Sequence, residues 1–434
     1  MPKKHCLVIG AGLAGLAAAH RLLQIGWTVE LLEVHKDRLG GRVLTQRFNR
    51  KGREPLVYEL GGEWIGDDHT RVKRLCKQFR LPLMRHRYSF AFLEEGVLSR
   101  FYKSGVLPFS PSSNSAFNNF LKHFRTMAEC EQKNLDRLDW WTKLKELGFS
   151  GKEALRRDLM DSTDFGESTR HTSAFAAAAE YGFSNIFDEM DAKIVGGNDR
   201  LIYALADAIR RRKGRIYNGC DVSRILQSKG QVTAVTRSGA KFTADACICA
   251  IPASCIHHIR WHPALPANQL SAARELEYAR IIKSTFLFPE KFWPSFARSG
   301  FSVFTSRASD FCFESTYGQE GPERIICSYA IGDKADDLAD EKGSDLAEWL
   351  SKDLSDALGK ANIQATFLKK QPWQREHRIG GAYAFYRPGQ WFSVRPTLAL
   401  PHMRVSFAGE HLSEAWQGFM EGAIETGEAA ADQL

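Results

Sequence analysis

The sequence predicts an α/β protein in which a Rossmann-like nucleotide-binding domain is interleaved with an α+β domain holding a mixed or antiparallel sheet and a helical subregion. Three observations predict it. The opening CLVIGAGLAGLAAAHRLLQIGWTVELLE has the strand, glycine turn, helix and strand order of a parallel unit. Residues from about 81 to 195 carry helical runs with aromatic and charged faces. Short strands then follow in two groups, one before and one after residue 283, so the chain returns to its first domain after leaving it. The expected division places 1–80, 196–283 and 396–434 in the first domain, and 81–195 and 284–395 in the second.

Cys6 to Ile9 reads as a short apolar strand, Ala14 to Leu23 as a helix of little bulk, and Thr28 to Leu32 as a second strand ending at Glu33. LGGRVLT and ELGGEWIG put two glycine doublets in loops around a short segment. AFNNFLKHFRTMAEC and LDRLDWWTKLKELG read as helices, and PFSPSSNSA, residues 108–116, as a surface loop or helix lead-in. GGNDRLIYALADAI is a loop followed by a helix. RIYNG, VSRIL, QVTAVTR and KFTADACICAIP are strands, as are STFLFP, FSVFTS, FCFEST and RIICSYAI, with EKGSDLAEWLSKDLSDALG a helix among them. The final alanine-rich stretch reads as one more helix.

A chain of 434 residues with 44% hydrophobic and 25% charged residues buries a large core, which excludes disorder. The net charge of +8 is dispersed, and its densest run, Arg210 to Lys213, falls where cations suit a helix end, so no nucleic-acid partner is expected. Nine cysteines without regular spacing form no disulfide framework, and with no CxxC or HExxH no metal is expected. The glycines within the apolar start argue for a nucleotide turn over a secretory leader. No other segment is apolar for the roughly 20 residues a spanning helix needs. A soluble, cytoplasmic protein is the expectation, with no membrane span and with a homodimer left open.

Gly10 permits a tight turn, Gly12 lets backbone approach a pyrophosphate, and Gly15 lets helix and strand pack closely. Glu33 stands where a carboxylate accepts from adenosine ribose hydroxyls. This much fits FAD and NAD equally. Gly40-Gly41-Arg42 and Gly61-Gly62-Glu63 add donors for a second, longer set of cofactor contacts, for which a nicotinamide enzyme has no evident need.

With VGGNDRLIYALADAI, YARIIKSTFLFPEKFW, GGAYAFYRPG, FAGEHLS and GFMEGAIETGEAA added, the sequence resembles the flavin-containing amine oxidases, the family of monoamine, polyamine and L-amino-acid oxidases, over almost its whole length. VHKDRLGGR is one residue longer than the usual spacing, a loop insertion. The resemblance implies FAD contacts at Gly10, Gly12, Gly15, Glu33, Gly40, Gly41, Arg42, Gly61, Gly62, Val222, Gly409 and Glu410, with Val222 beneath the adenine. Met420 to Ala423 would begin a helix whose positive end faces the flavin ring, and Glu421 would serve either the cofactor or that helix start.

Lys283 stands among apolar neighbours, so its ammonium must find partners, lose its proton or reach the surface along its stem. The resemblance implies that it holds a water against flavin N5. Tyr383 and Phe419 match the two aromatic rings that face the substrate. Ala382 stands where several family enzymes carry the cysteine bonded to FAD, so noncovalent FAD is expected.

The implied reaction is oxidation of a primary or secondary amine by transfer of a hydride equivalent to FAD. Molecular oxygen then yields hydrogen peroxide, and water converts the imine to a carbonyl compound and ammonia or a smaller amine. L-Amino-acid oxidation is the near alternative, with Arg378, Arg387 and Arg395 as candidates for a substrate carboxylate. Glu63 is a candidate for a second cation on a diamine. A flavin desaturase and a non-enzymatic flavin-binding scaffold are the remaining readings.

Overall fold

The computed structural model describes all residues except 1–3, 87, 104–105, 107, 184–191, 229, 294–299, 306–307 and 361. His5–Ile9 and Thr28–Leu32 form the predicted parallel pair, joined by the helix Leu13–Gln24. Arg215–Tyr217, Ala246–Cys249 and Val405–Phe407 complete a five-stranded, wholly parallel sheet. Its inner strands His5–Ile9 and Ala246–Cys249 are buried along nearly their whole length, as a sheet covered on both sides requires.

VSRIL, QVTAVT and KFTA do not extend that sheet. They form a separate four-stranded sheet with Arg260–His262, in which Val222–Ser228 and Gln231–Thr236 make an antiparallel pair. Their alternation of polar and apolar residues suits a half-exposed layer, whereas ACIC, buried at all four positions, suits the parallel core.

A mixed eight-stranded sheet is the other main layer. It runs in the order Thr366–Pro372, Ile281–Phe288, Arg324–Ile331, Phe311–Glu314, Gly300–Thr305, Tyr88–Glu94, Val97–Leu98, with Tyr102–Lys103 paired to Tyr88–Glu94. Only the contact between Gly300–Thr305 and Tyr88–Glu94 is parallel. Lys283 lies inside Ile281–Phe288, so a division at 283 would cut a strand. Five helices between residues 111 and 183 make the helical subregion. PFSPSSNSA turns out to contain a helix start, with Pro111 in the first turn and the Ser110 hydroxyl accepting from Ser113 N at 3.2 Å.

The last helix, Met420–Asp432, packs along Leu13–Gln24. A Cβ on Gly427 would lie 2.2 Å from the Ala14 carbonyl, so the two backbones approach too closely for any other residue. The nine cysteines are free thiols, and Cys247 and Cys249 point into the core. Among the described residues no helix is long and apolar enough to cross a membrane.

Candidate functional site

A cavity of about 670 Å³ runs from the parallel sheet to the face of the eight-stranded sheet, within the roughly 300–1,000 Å³ typical of small-molecule sites. At its first end lie Gly10, Gly12, Glu33, Gly40, Gly41 and Val222. A Cβ on Gly12 would meet nothing within 4 Å, so bare backbone at the N-terminus of Leu13–Gln24 faces open space, where no side chain caps the helix. That is the surface a pyrophosphate needs. Glu33 closes its strand as expected, and its carboxylate accepts from Ala11 N at 2.7 Å and His35 N at 2.9 Å. Gly15 shows the close packing expected of it and, unlike Gly10 and Gly12, does not border the cavity. A Cβ there would lie 1.9 Å from the Gly10 carbonyl oxygen, so only glycine allows the helix this close to the turn.

Gly61, Gly62, Arg42, Gly409, Glu410, Met420 and Ala423 line the middle. Arg42 donates to the Ala382 carbonyl at 2.9 Å and to Glu410 at 2.5 Å. Glu410 also accepts from Ala384 N and Gly418 N, so its carboxylate clasps the polypeptide together. Ala423 N donates to the Phe419 carbonyl, which leaves the first-turn amides of Met420, Glu421 and Gly422 as the groups without a helical acceptor. Glu421 has a use other than the two expected. Its fully buried carboxylate accepts from Arg71 N and Val72 N at 2.9 Å and caps a different helix, Thr70–Gln78.

Lys283, Tyr383 and Phe419 meet at the far end, with Trp64, Asp164, Glu180, Phe304, Phe311, Phe313 and Tyr329. Lys283 Nζ donates to the Gly61 carbonyl at 2.9 Å and to Glu63 at 2.8 Å. Burial is the strongest single influence on its pKa and lowers it, but the charge and hydrogen bond of Glu63, with smaller contributions from Cys327 and Glu59, together raise it, so Lys283 stays an ammonium. The Tyr383 hydroxyl lies 2.9 Å from that of Tyr329 and donates to the Asp164 carbonyl at 2.8 Å. Burial lifts its pKa well above the ordinary value, so it stays neutral. Phe419 is held edge-on between His69 and Trp416.

Two substrate expectations are corrected. The Glu63 carboxylate is shared by Lys283 and by Lys193 Nζ at 2.6 Å, which leaves it no role for a substrate cation. Arg387 and Arg395 do not border the cavity and pair with Glu277 and Glu414. Arg378 borders it near Val222, paired with Asp221. All three flank the substrate strand in sequence, yet each turns toward a local carboxylate.

The family model for flavin containing amine oxidoreductases matches residues 13–434. The chain belongs to that family. It is 27% identical over 463 residues to the L-amino-acid oxidase of Crotalus adamanteus, covering 99% of this chain and 86% of that protein. Its fold matches cyclohexylamine oxidase from Brevibacterium oxydans with a TM-score of 0.85 at 22% identity, over 100% of this chain and 98% of that one. It also matches a double mutant of putrescine oxidase with a TM-score of 0.86 at 18% identity, over 99% and 98%.

As a flavin-containing amine oxidoreductase the chain is an enzyme that uses FAD. In general terms its reaction oxidises an amine to an imine or carbonyl product, with ammonia or a smaller amine and hydrogen peroxide. The lining suits such a cofactor: bare backbone at the start of Leu13–Gln24 and the Glu33 carboxylate lie at one end, and the start of Met420–Asp432 and the Lys283 ammonium lie toward the other. Ala382 offers only a methyl group beside Tyr383.

Several residues of this site are missing from the sequence reading. Lys193 carried the same signal as Lys283, a lysine inside a short apolar strand, Ala192–Ile194, buried at all three positions. Asp164 and Tyr329 had no local signal, because only the fold brings them to Tyr383. Phe304, Phe311 and Phe313 belong to a stacked aromatic cluster on one sheet face.

Proposed function

We propose that the chain oxidises a primary or secondary amine lacking an α-carboxylate, bound between Tyr383 and Phe419. The observation that carries this reading is the charge of the far end. Its acidic residues are Asp164 and Glu180, while its one cation among the described residues, Lys283, has donors engaged by the Gly61 carbonyl and Glu63, so no guanidinium is aimed at a substrate carboxylate there. A cationic amine suits that lining; a substrate carboxylate does not.

In this reading Gly10, Gly12, Glu33, Gly40, Gly41 and Val222 hold the adenosine and phosphates of FAD. Arg42, Gly61, Gly62, Gly409, Glu410, Met420 and Ala423 surround the flavin side. The FAD-binding domain comprises 1–80, 196–280 and 396–434, with the boundary moved ahead of Ile281–Phe288 to keep that strand whole. A cytoplasmic setting, where nine free thiols stay reduced, belongs to the same reading.

Bound FAD supplies the two-electron acceptor. The Asp164 carbonyl and Tyr329 hold the Tyr383 ring in place and His69 and Trp416 hold that of Phe419, so the two side chains would restrict how the substrate approaches. Lys283 spends two donors on Gly61 and Glu63 and keeps a third for a water at the cavity. Asp164 is half-buried in the wall, and burial together with the charge of Asp161 pushes its carboxyl up to about 7. Its Oδ2 accepts from the Tyr181 hydroxyl at 2.9 Å, and its other oxygen would accept the proton that an incoming ammonium must lose before oxidation.

The similarity to L-amino-acid oxidases makes α-amino acids the second reading. Anaerobic reduction of the bound flavin with parallel panels of monoamines, diamines and L-amino acids separates the two. Fast bleaching by amines is expected, and bleaching by α-amino acids alone would replace the first reading with the second.

A further inference from the structure

Behind the far end of the cavity Glu63 sits between two lysines. Its Oε1 accepts from Lys193 Nζ at 2.6 Å and its Oε2 from Lys283 Nζ at 2.8 Å, and the three residues are 3%, 6% and 7% exposed in the order Glu63, Lys193, Lys283. Lys193 also donates to the Ser315 carbonyl at 3.1 Å and lies 4.4 Å from the centre of the Trp64 ring. Glu63 and Lys283 border the cavity, whereas Lys193 does not. Two ammonium groups against one carboxylate leave one net positive charge where water does not screen it. Burial acts to raise the Glu63 carboxyl, but the lysine charges prevail and hold it below its ordinary range. Glu59, the next carboxyl, bonds to Thr45 and Asn198 and is pushed up to about 7 by burial, so it is largely neutral at pH 6.

A Glu63–Lys283 pair alone would be neutral. Glu63 would orient Lys283 and at the same time cancel its field. We propose that Lys193 is a positioning residue for Lys283: it offsets the Glu63 charge, so Glu63 can orient Lys283 while a positive field still reaches the flavin ring. This rests on the reading that Lys283 faces the flavin. The field stabilises the negative charge that the ring gains on reduction or on binding an anion.

Sulfite is the probe, because its affinity for bound flavin reports positive charge at the ring without turnover. Titrations at pH 6 compare the parent protein with Lys193→Met, Lys283→Met, Glu63→Gln/Lys193→Met and Lys193→Arg, with FAD content and melting temperature as controls. Lys193→Met should weaken sulfite binding at least about tenfold. The double variant, which again carries one net positive charge on Lys283, should recover to within about threefold of the parent, and Lys193→Arg should match the parent. Parent-like affinity in Lys193→Met, or a double variant no better than Lys193→Met, overturns the proposal. If Lys283→Met also leaves affinity unchanged, the reading of Lys283 itself fails; if only Lys283→Met weakens it, Lys193 alone is dismissed. Should Lys193→Met not retain FAD, Lys193→Gln makes the same charge change with a polar end and is judged by the same outcomes.

Discussion

At the glycine-turn end the cavity is built around the backbone of one short stretch; at the far end its wall is side chains gathered from distant segments. The first is set by a local pattern, in which residues 10–15 and Glu33 lie on adjoining strand ends and place amides and one carboxylate within a single parallel unit. The second needs Glu63, Asp164, Lys193, Lys283, Tyr383 and Phe419, which meet only when two sheets and a helical layer have assembled. Damage to the first should therefore remove the cofactor, and damage to the second should change chemistry while leaving the cofactor in place.

The largest expected effect is at Gly15. Its Cβ would lie 1.9 Å from the Gly10 carbonyl. Gly15→Ala should cost at least about 3 kcal/mol and yield protein without flavin absorbance; a yellow, normally stable variant would break the comparison at its stronger end.

The next effect belongs to the far end. Because the Asp164 carboxyl is pushed up to about 7, it is protonated below that pH and cannot take a proton. The kcat/KM for an amine should then fall as the pH drops, about tenfold per unit well below that value. Asp164→Asn should keep FAD and lose the ionisation centred near 7. A pH profile with that ionisation still present would assign it to another group.

The smallest effect is at Glu421, whose neighbours face the cavity although its carboxylate does not border it. Glu421→Gln should lower stability by about 2 kcal/mol through weaker capping of Thr70–Gln78. Turnover at saturating amine should stay within roughly twofold. Thermal melting and steady-state rates on one preparation check both, and a large loss of turnover at unchanged stability would return Glu421 to the cofactor site.

The same contrast explains what was legible in the sequence. Apolar runs of matched length and three glycines identify the opening unit, because each element there forms from adjacent residues. Lys283 was legible as an anomaly, a lysine in an apolar strand, but its partner Lys193 sits on a three-residue strand whose pairing with Leu83–Arg85 no local pattern announces. Arg378, Arg387 and Arg395 show the opposite failure. Nearness along the chain marked them as substrate contacts, while Asp221, Glu277 and Glu414 decide where they point. Glu421 stands one residue inside its own helix and serves another helix, a use visible only in three dimensions.

The packing of Met420–Asp432 against Leu13–Gln24 has a consequence for how the protein is made. Domains ordinarily begin to fold from the N-terminus as they leave the ribosome. Here the strand Val405–Phe407 closes the edge of the sheet that His5–Ile9 begins, and the helix entered at Met420 closes the cavity that Gly10 opens. The glycine turn therefore waits for a helix synthesised far later before it can enclose FAD, and a nascent chain stalled short of residue 420 would have its glycine turn but no closed cavity in which to keep the cofactor.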